Sequence, residues 1–161
     1  MKDPRRRRPD RRTYVQASQG SKSKNARTRF ARRVLVAEPD TTLGDLYRSA
    51  LESDGWAVDV VSDGRTALAR AAASPPDVLL LGTAPDLPAK TVLERLRNHE
   101  STRDLAVIVL TNSGDEADLQ QWQQLGAIGW LVKSRPMRAS LSATITGLLE
   151  RRISGRDRRE S

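Results

Sequence analysis

The chain of 161 residues has no cysteine and a single histidine, which excludes disulfides and cysteine-ligated clusters and makes a histidine-based zinc site implausible. Its net charge of +8 is unevenly distributed: residues 1–33 carry +11, residues 151–161 carry +3, and the stretch between them carries −6. No apolar run approaches the roughly 20 residues that cross a bilayer, so we expect no membrane insertion and a cytoplasmic protein with basic arms on an acidic domain.

The first 32 residues contain almost nothing that could form a hydrophobic core, and the same holds for residues 153–161. Such segments do not bury enough apolar surface to offset the entropy cost of ordering, so we predict two disordered basic arms around a domain over residues 33–152. Flexible polycations bind phosphate backbones, and the guanidinium fork suits this role. The candidate nucleic-acid contacts are Arg5, Arg6, Arg7, Arg8, Arg11 and Arg12. A solubilising tail, or an arm folded onto the acidic domain, explains the same charge.

Five short apolar runs follow within the domain, and most lack polar alternation. In chain order they are Val34–Ala37, Ala57–Val61, Val78–Leu81, Ala106–Leu110 and Ile128–Val132. This pattern is typical of strands that helices bury on both faces. Asp59 interrupts the second run, which predicts that this strand lies at an edge of the sheet.

Amphipathic segments that read as helices follow each of these runs. Their start signals are, in chain order, Thr41 or Thr42, Asp63, Pro88, Gly114 with its two following acids, and Pro136, while Gly55 ends the first helix. Strict alternation of strand and helix predicts an α/β fold with a parallel sheet, right-handed crossovers and helices on both faces. In such a sheet the ligand site lies at the carboxyl ends of the strands.

The residues around these strand ends resemble the receiver domain of bacterial response regulators, the CheY-like family, over roughly 33–152. The stretches that carry the resemblance are VLVAEPD, PPDVLLLG, VIVLTNSGDE and LGAIGWLVKS. The resemblance implies a doubly wound (βα)5 flavodoxin-like three-layer sandwich, with a parallel five-stranded sheet in the order 2-1-3-4-5. In that family the first strand ends in an acidic pair that helps to hold Mg²⁺, and the third ends in the aspartate that is phosphorylated.

Two of the three acids that the family uses are missing from this chain. The resemblance places Glu38 and Pro39 at the acidic pair and Gly82 at the phosphoacceptor position. Phosphorylation needs a carboxylate nucleophile, and Mg²⁺ usually needs one or two carboxylates. We therefore predict a degenerate pocket with no metal and no cofactor. Asp40 or Asp86 are the neighbouring acids that would have to replace the missing ones, although Asp40 is better suited to cap the first helix.

Other family positions are retained. The resemblance places Thr111 at the Ser/Thr that contacts the phosphoryl group, Lys133 at the lysine that pairs with it, and Trp130 at the aromatic switch. Two interpretations stay open: a frozen or ligand-gated switch, or a structural remnant in which Lys133 pairs with Glu38. Trp122 and Trp130 are either core residues or anchors of an interface. The fourth helix, fifth strand and fifth helix form the face on which related domains dimerise or dock outputs.

These observations favour a pseudo-receiver that is not an enzyme. We expect a phosphorylation-independent regulatory module of bacterial signal transduction, which binds a protein partner or dimerises. Two alternatives stay open at this point. One is a nonspecific nucleic-acid-binding protein whose globular domain dimerises the basic arms, and the other is a residual phosphorelay receiver that uses a non-standard acid.

Overall fold

A computed structural model describes the backbone of residues 31–112, 116–133 and 141–160, and the side chains of these residues except Glu116 and 153–160. The chain divides into two units, residues 1–32 and 33–161. The disorder predicted for the first 32 residues falls on residues 1–30 outside the described residues, as do the arginine contacts predicted within them. The helix start expected at Gly114 and the segment around Pro136 also lie outside them.

The second unit alternates strictly between strands and helices. In chain order the elements are β1 (Arg33–Ala37), α1 (Thr41–Ser53), β2 (Ala57–Val61), α2 (Gly64–Ala73), β3 (Val78–Gly82), α3 (Ala89–Arg97), β4 (Val107–Thr111), α4 (Glu116–Gln124), β5 (Gly129–Val132) and α5 (Leu141–Glu160). The five strands form one parallel sheet in the order β2-β1-β3-β4-β5. The predicted fold and strand order are confirmed.

Helices cover both faces of this sheet. Successive strand residues point to opposite faces, so Val34 and Val36 of β1 pack with α1 and α5, whereas Leu35 and Ala37 pack with α2 and α3. The central strand β3 is buried along its whole length. Asp59 is exposed on β2, which is an edge strand as its charge predicted.

The helix ends follow local signals. Of the residues considered as the cap of α1, the structure shows Asp40 rather than Thr41 or Thr42, because the Asp40 carboxylate accepts a hydrogen bond of 3.1 Å from the Leu43 amide. The two threonines already belong to the helix. Gly55 has a φ of +94°, a left-handed conformation that ends the helix at low steric cost.

The last helix extends further than the sequence analysis expected. Its backbone is helical to Glu160, whereas we predicted disorder from residue 153. Extending an existing helix avoids the cost of nucleation, and the added residues are rich in Arg, a good helix former. Despite this length, neither α5 nor any other helix in the described ranges combines the length and apolar character needed to cross a membrane.

Candidate functional site

The parallel sheet brings the positions of the predicted pocket to one edge. Glu38 follows β1, Gly82 ends the neighbouring β3, and Thr111 ends β4. Lys133 directly follows β5, and its backbone amide donates a hydrogen bond of 2.7 Å to the Thr111 carbonyl. The structure therefore assembles at the carboxyl edge the residues that the sequence analysis assigned to the pocket.

Glu38 and Lys133 form an ion pair at the centre of this pocket. Lys133 Nζ lies 2.6 Å from Glu38 Oε1, and the two side chains are 14% and 1% exposed. This contact is electrostatic rather than an aligned hydrogen bond, since no donor among the described residues reaches Oε1 with hydrogen-bonding geometry. The other oxygen, Oε2, accepts a hydrogen bond of 3.0 Å from the Asp40 amide. Both oxygens of the one retained acid are thus engaged within the protein.

The pair occupies the space beside Gly82. A Cβ atom added at Gly82 would lie 3.1 Å from the Ala37 carbonyl oxygen, 3.1 Å from Glu38 Oε1 and 3.4 Å from Lys133 Nζ. These distances leave no room for a larger side chain at the end of β3 unless Glu38 and Lys133 move. The end of β3 therefore carries no side chain, and the Glu38–Lys133 pair lies against it.

The two acids considered as replacements are used elsewhere. Asp40 caps α1, as described above. Asp86 accepts hydrogen bonds of 2.9 and 3.0 Å from the amides of Gly64 and Arg65, at the start of α2. The bond from Gly64 is the main cause that lowers the pKa of Asp86, because it favours the charged carboxylate. Each acid thus stabilises the first turn of a helix.

These side chains do not fit a magnesium ion. Mg²⁺ takes an octahedron of oxygen ligands, yet the pocket holds a single carboxylate with an ammonium group against it. Within the described part of the chain, no group of three His, Cys, Asp or Glu side chains is arranged to hold a metal ion. We therefore derive no chemistry through a metal at this edge.

Tyr47 is a further member of the site that the sequence analysis did not identify. Its ring is buried in the core beneath α1. Burial, and secondarily the charge of Glu38, raises the pKa of Tyr47 to about 12. The hydroxyl has no hydrogen-bond partner among the described residues. An aromatic residue on the inner face of an amphipathic helix reads as core, so no sequence signal linked it to Glu38.

The two candidate interface tryptophans differ in their surroundings. Trp122 of α4 is half-buried and packs against the core cluster formed with α2 and α3, and its buried Nε1 has no partner among the described residues. Trp130 lies on the edge strand β5, half-buried, on the opposite face from the buried Leu131. Packing thus explains Trp122, whereas part of Trp130 is accessible.

This combination of sheet order and pocket defines a receiver fold, and comparison with known proteins agrees. Residues 34–145 match the family of response regulator receiver domains. The chain belongs to this family and contains the receiver domain of a two-component response regulator.

Its relatives are longer proteins. The chain is 33% identical over 120 residues to the DNA-binding dual master transcriptional regulator RpaA of Synechocystis sp., covering 74% of this chain and 49% of that protein. It is 32% identical over 122 residues to the transcriptional regulatory protein QseB of Haemophilus influenzae, covering 74% and 53%. The chain spans about half the length of these curated relatives. The chemotaxis response regulator CheY4 of Vibrio cholerae has the same fold, with a TM-score of 0.69 at 24% identity over 73% of this chain and 98% of that one.

Proposed function

We propose that this receiver domain is a pseudo-receiver, which regulates a partner by contact and without aspartyl phosphorylation. The observation that carries the proposal is the end of β3, where Gly82 stands beside the Glu38–Lys133 ion pair. Glycine has no nucleophile, and the lysine that would pair with a phosphoryl group is already paired with a carboxylate. On this proposal the domain is not an enzyme and acts in the cytoplasm.

The energetics of the pair support a permanently unmodified pocket. A phosphoryl group at this edge would have to draw Lys133 away from Glu38, which is 1% exposed. A buried carboxylate left without its counter-ion is costly, by about 3–5 kcal/mol when a buried pair is broken from one side. The ion pair therefore opposes the rearrangement that phosphorylation would require.

The face of α4, β5 and α5 is the contact surface that we assign to the proposal. The four glutamines that flank Trp122 on α4 are exposed, namely Gln120, Gln121, Gln123 and Gln124. Trp130 lies on β5, the next element of the chain, and is half-buried. A stretch of exposed amides together with a partly accessible aromatic ring suits an interface, because charged residues are depleted and Trp is enriched at interface cores. The occupant is a protein partner or a second copy of the domain.

Intact-mass measurement tests the absence of phosphorylation. The wild-type chain is incubated with acetyl phosphate and Mg²⁺, and we expect no phosphoryl adduct because no acid at the pocket is available. The matched control is the double variant Pro39→Asp with Gly82→Asp, which restores both missing acids. The added carboxylates offer Lys133 other partners, so that the ion pair can open, and we expect this variant to take up the phosphoryl group. A wild-type adduct that maps to Asp40 or Asp86 would revive the residual phosphorelay alternative and overturn the proposal.

A further inference from the structure

A second cleft lies at the opposite edge of the sheet from the pocket. It has a volume of about 610 Å³, and its lining includes four arginines, Arg97, Arg103, Arg151 and Arg152, with Asp104 as the acid among them. Its walls come from the end of α3, the loop before β4, the turn between α4 and β5, and α5. These elements meet at the amino ends of the strands, so the cleft is separate from Glu38 and Gly82.

Arg97 builds the floor of this cleft. Its guanidinium donates hydrogen bonds to four backbone carbonyls, those of Leu125, Thr102, Arg103 and Gly126, at 2.9–3.3 Å. These bonds tie the loop before β4 to the turn before β5. Burial, with the nearby charge of Arg152 next, lowers the pKa of Arg97. The fold thus keeps the Arg97 guanidinium partly desolvated and close to the positive charge of Arg152.

Arg103 and Arg151 are different, because both side chains are exposed. Neither side chain forms a hydrogen bond or an ion pair with a residue that the structure describes. A helix dipole stabilises cations only in the last turn of a helix, so it explains the position of neither arginine. Arg103 lies in a loop, and α5 continues to Glu160 well beyond Arg151. Two of the four arginines, Arg97 and Arg103, come from the stretch 34–150, which carries a net charge of −6, and the other two begin the basic stretch 151–161.

We propose that this cleft binds the phosphate backbone of a nucleic acid. Each of its cations is arginine, whose planar fork engages phosphate oxygens in pairs. The cleft is open, and Arg103 and Arg151 are exposed at it, which suits an extended polyanion. The same edge of the sheet carries the start of β1 at Arg33, so the 32 preceding residues, with 12 Lys and Arg, join the domain there.

The salt dependence of DNA binding by the full chain tests this proposal. The variant combines Arg103→Gln with Arg151→Gln, and binding to a short labelled duplex is followed by fluorescence anisotropy from about 50 to about 200 mM KCl. Each phosphate contact contributes about 0.9 to the slope of log Kd against log salt, so we expect the slope to fall by about 1.8. The ratio of the variant's Kd to the wild-type Kd should therefore fall by about 12-fold between about 50 and about 200 mM KCl.

The matched control removes the same charge from the opposite edge. Arg65→Gln with Lys90→Gln changes two exposed residues in the first turns of α2 and α3, and we expect the wild-type slope. Thermal melting of each variant checks that the fold is intact. Equal slopes for all three proteins would overturn the proposal, as would an equal decrease in slope in both double variants. The absence of DNA binding by the full chain would also overturn it. None of these outcomes depends on whether Gly82 prevents phosphorylation.

Discussion

Replacement of Lys133 by Met tests the ion pair that defines the pocket. The substitution keeps an unbranched side chain, one atom shorter, and removes its charge, leaving the Glu38 carboxylate 1% exposed with only the Asp40 amide as a donor. At 2.6 Å the attraction between the two charges is about 6 kcal/mol at an effective dielectric constant of about 20, before desolvation is subtracted. Breaking a buried pair from one side costs about 3–5 kcal/mol. Because Lys133 is 14% exposed, water screens the pair in part, and we expect a loss of about 3 kcal/mol.

Urea denaturation measures this loss. With a slope of about 2 kcal/mol per molar urea, the midpoint should fall by about 1.5 M. Glu38→Gln alone should cost less, about 1 kcal/mol, because Lys133 reaches solvent more easily than Glu38 does. The double variant should resemble Glu38→Gln, which corresponds to a coupling energy of about 3 kcal/mol. Lys90→Met, an exposed control, should stay within about 0.5 kcal/mol of wild type. Costs that simply add, or a neutral Lys133→Met, would refute the reasoning.

Two further predictions concern titration. In a Tyr14→Phe background, Tyr47 should ionise near pH 12 by ultraviolet absorbance, and Glu38→Gln should lower this pKa without restoring the ordinary 10.0, because burial is the larger cause. Because the pKa of Tyr47 is higher in the folded than in the unfolded chain, the free energy of unfolding should fall by about 1.4 kcal/mol per pH unit as pH rises from 10.0 through 12. A Tyr47 pKa of 10.0 in the folded chain would contradict this. Asp86→Asn should lower the melting temperature at neutral pH, because the lowered pKa of Asp86 means that its charged form stabilises the fold. The stabilisation by charged Asp86 is present above pH 3.8 and is lost as pH falls through the lower pKa of the folded state. The melting temperatures of wild type and variant should therefore converge in acid. A constant difference between them would argue against the capping role.

The elements of the fold could be predicted from local sequence. Strands buried on both faces have unbroken apolar runs, and those runs correspond to the strands within one residue at each end. Asp63 was expected to cap α2 and does so, with its carboxylate 2.7 Å from the Thr66 amide. Such signals act over a few residues, so the neighbouring chain carries them. The cap of α1 was ambiguous in the sequence, where Asp40, Thr41 and Thr42 follow one another, and the structure shows that Asp40 takes this role.

The pocket could be predicted only in part. The resemblance aligned Glu38, Gly82 and Lys133, and the expected ion pair between the first and last is present. The role of Asp86 at the start of α2 was not predicted, because its carboxylate reaches the Gly64 amide from 22 residues further along the chain. Nothing in the residues around Asp86 indicates that distance. Its role follows from how the loop after β3 packs on α2.

The sequence by itself determined which residues form the sheet, which helices cover it, and that the third strand ends without a carboxylate, because these properties depend on local pattern and residue chemistry. Only the tertiary structure decided that Lys133 closes on Glu38 beside Gly82, and that arginines from α3, α5 and a loop converge on one cleft. Those contacts join residues far apart in the chain. Their geometry is set by the packing of whole elements, which no short stretch of sequence encodes.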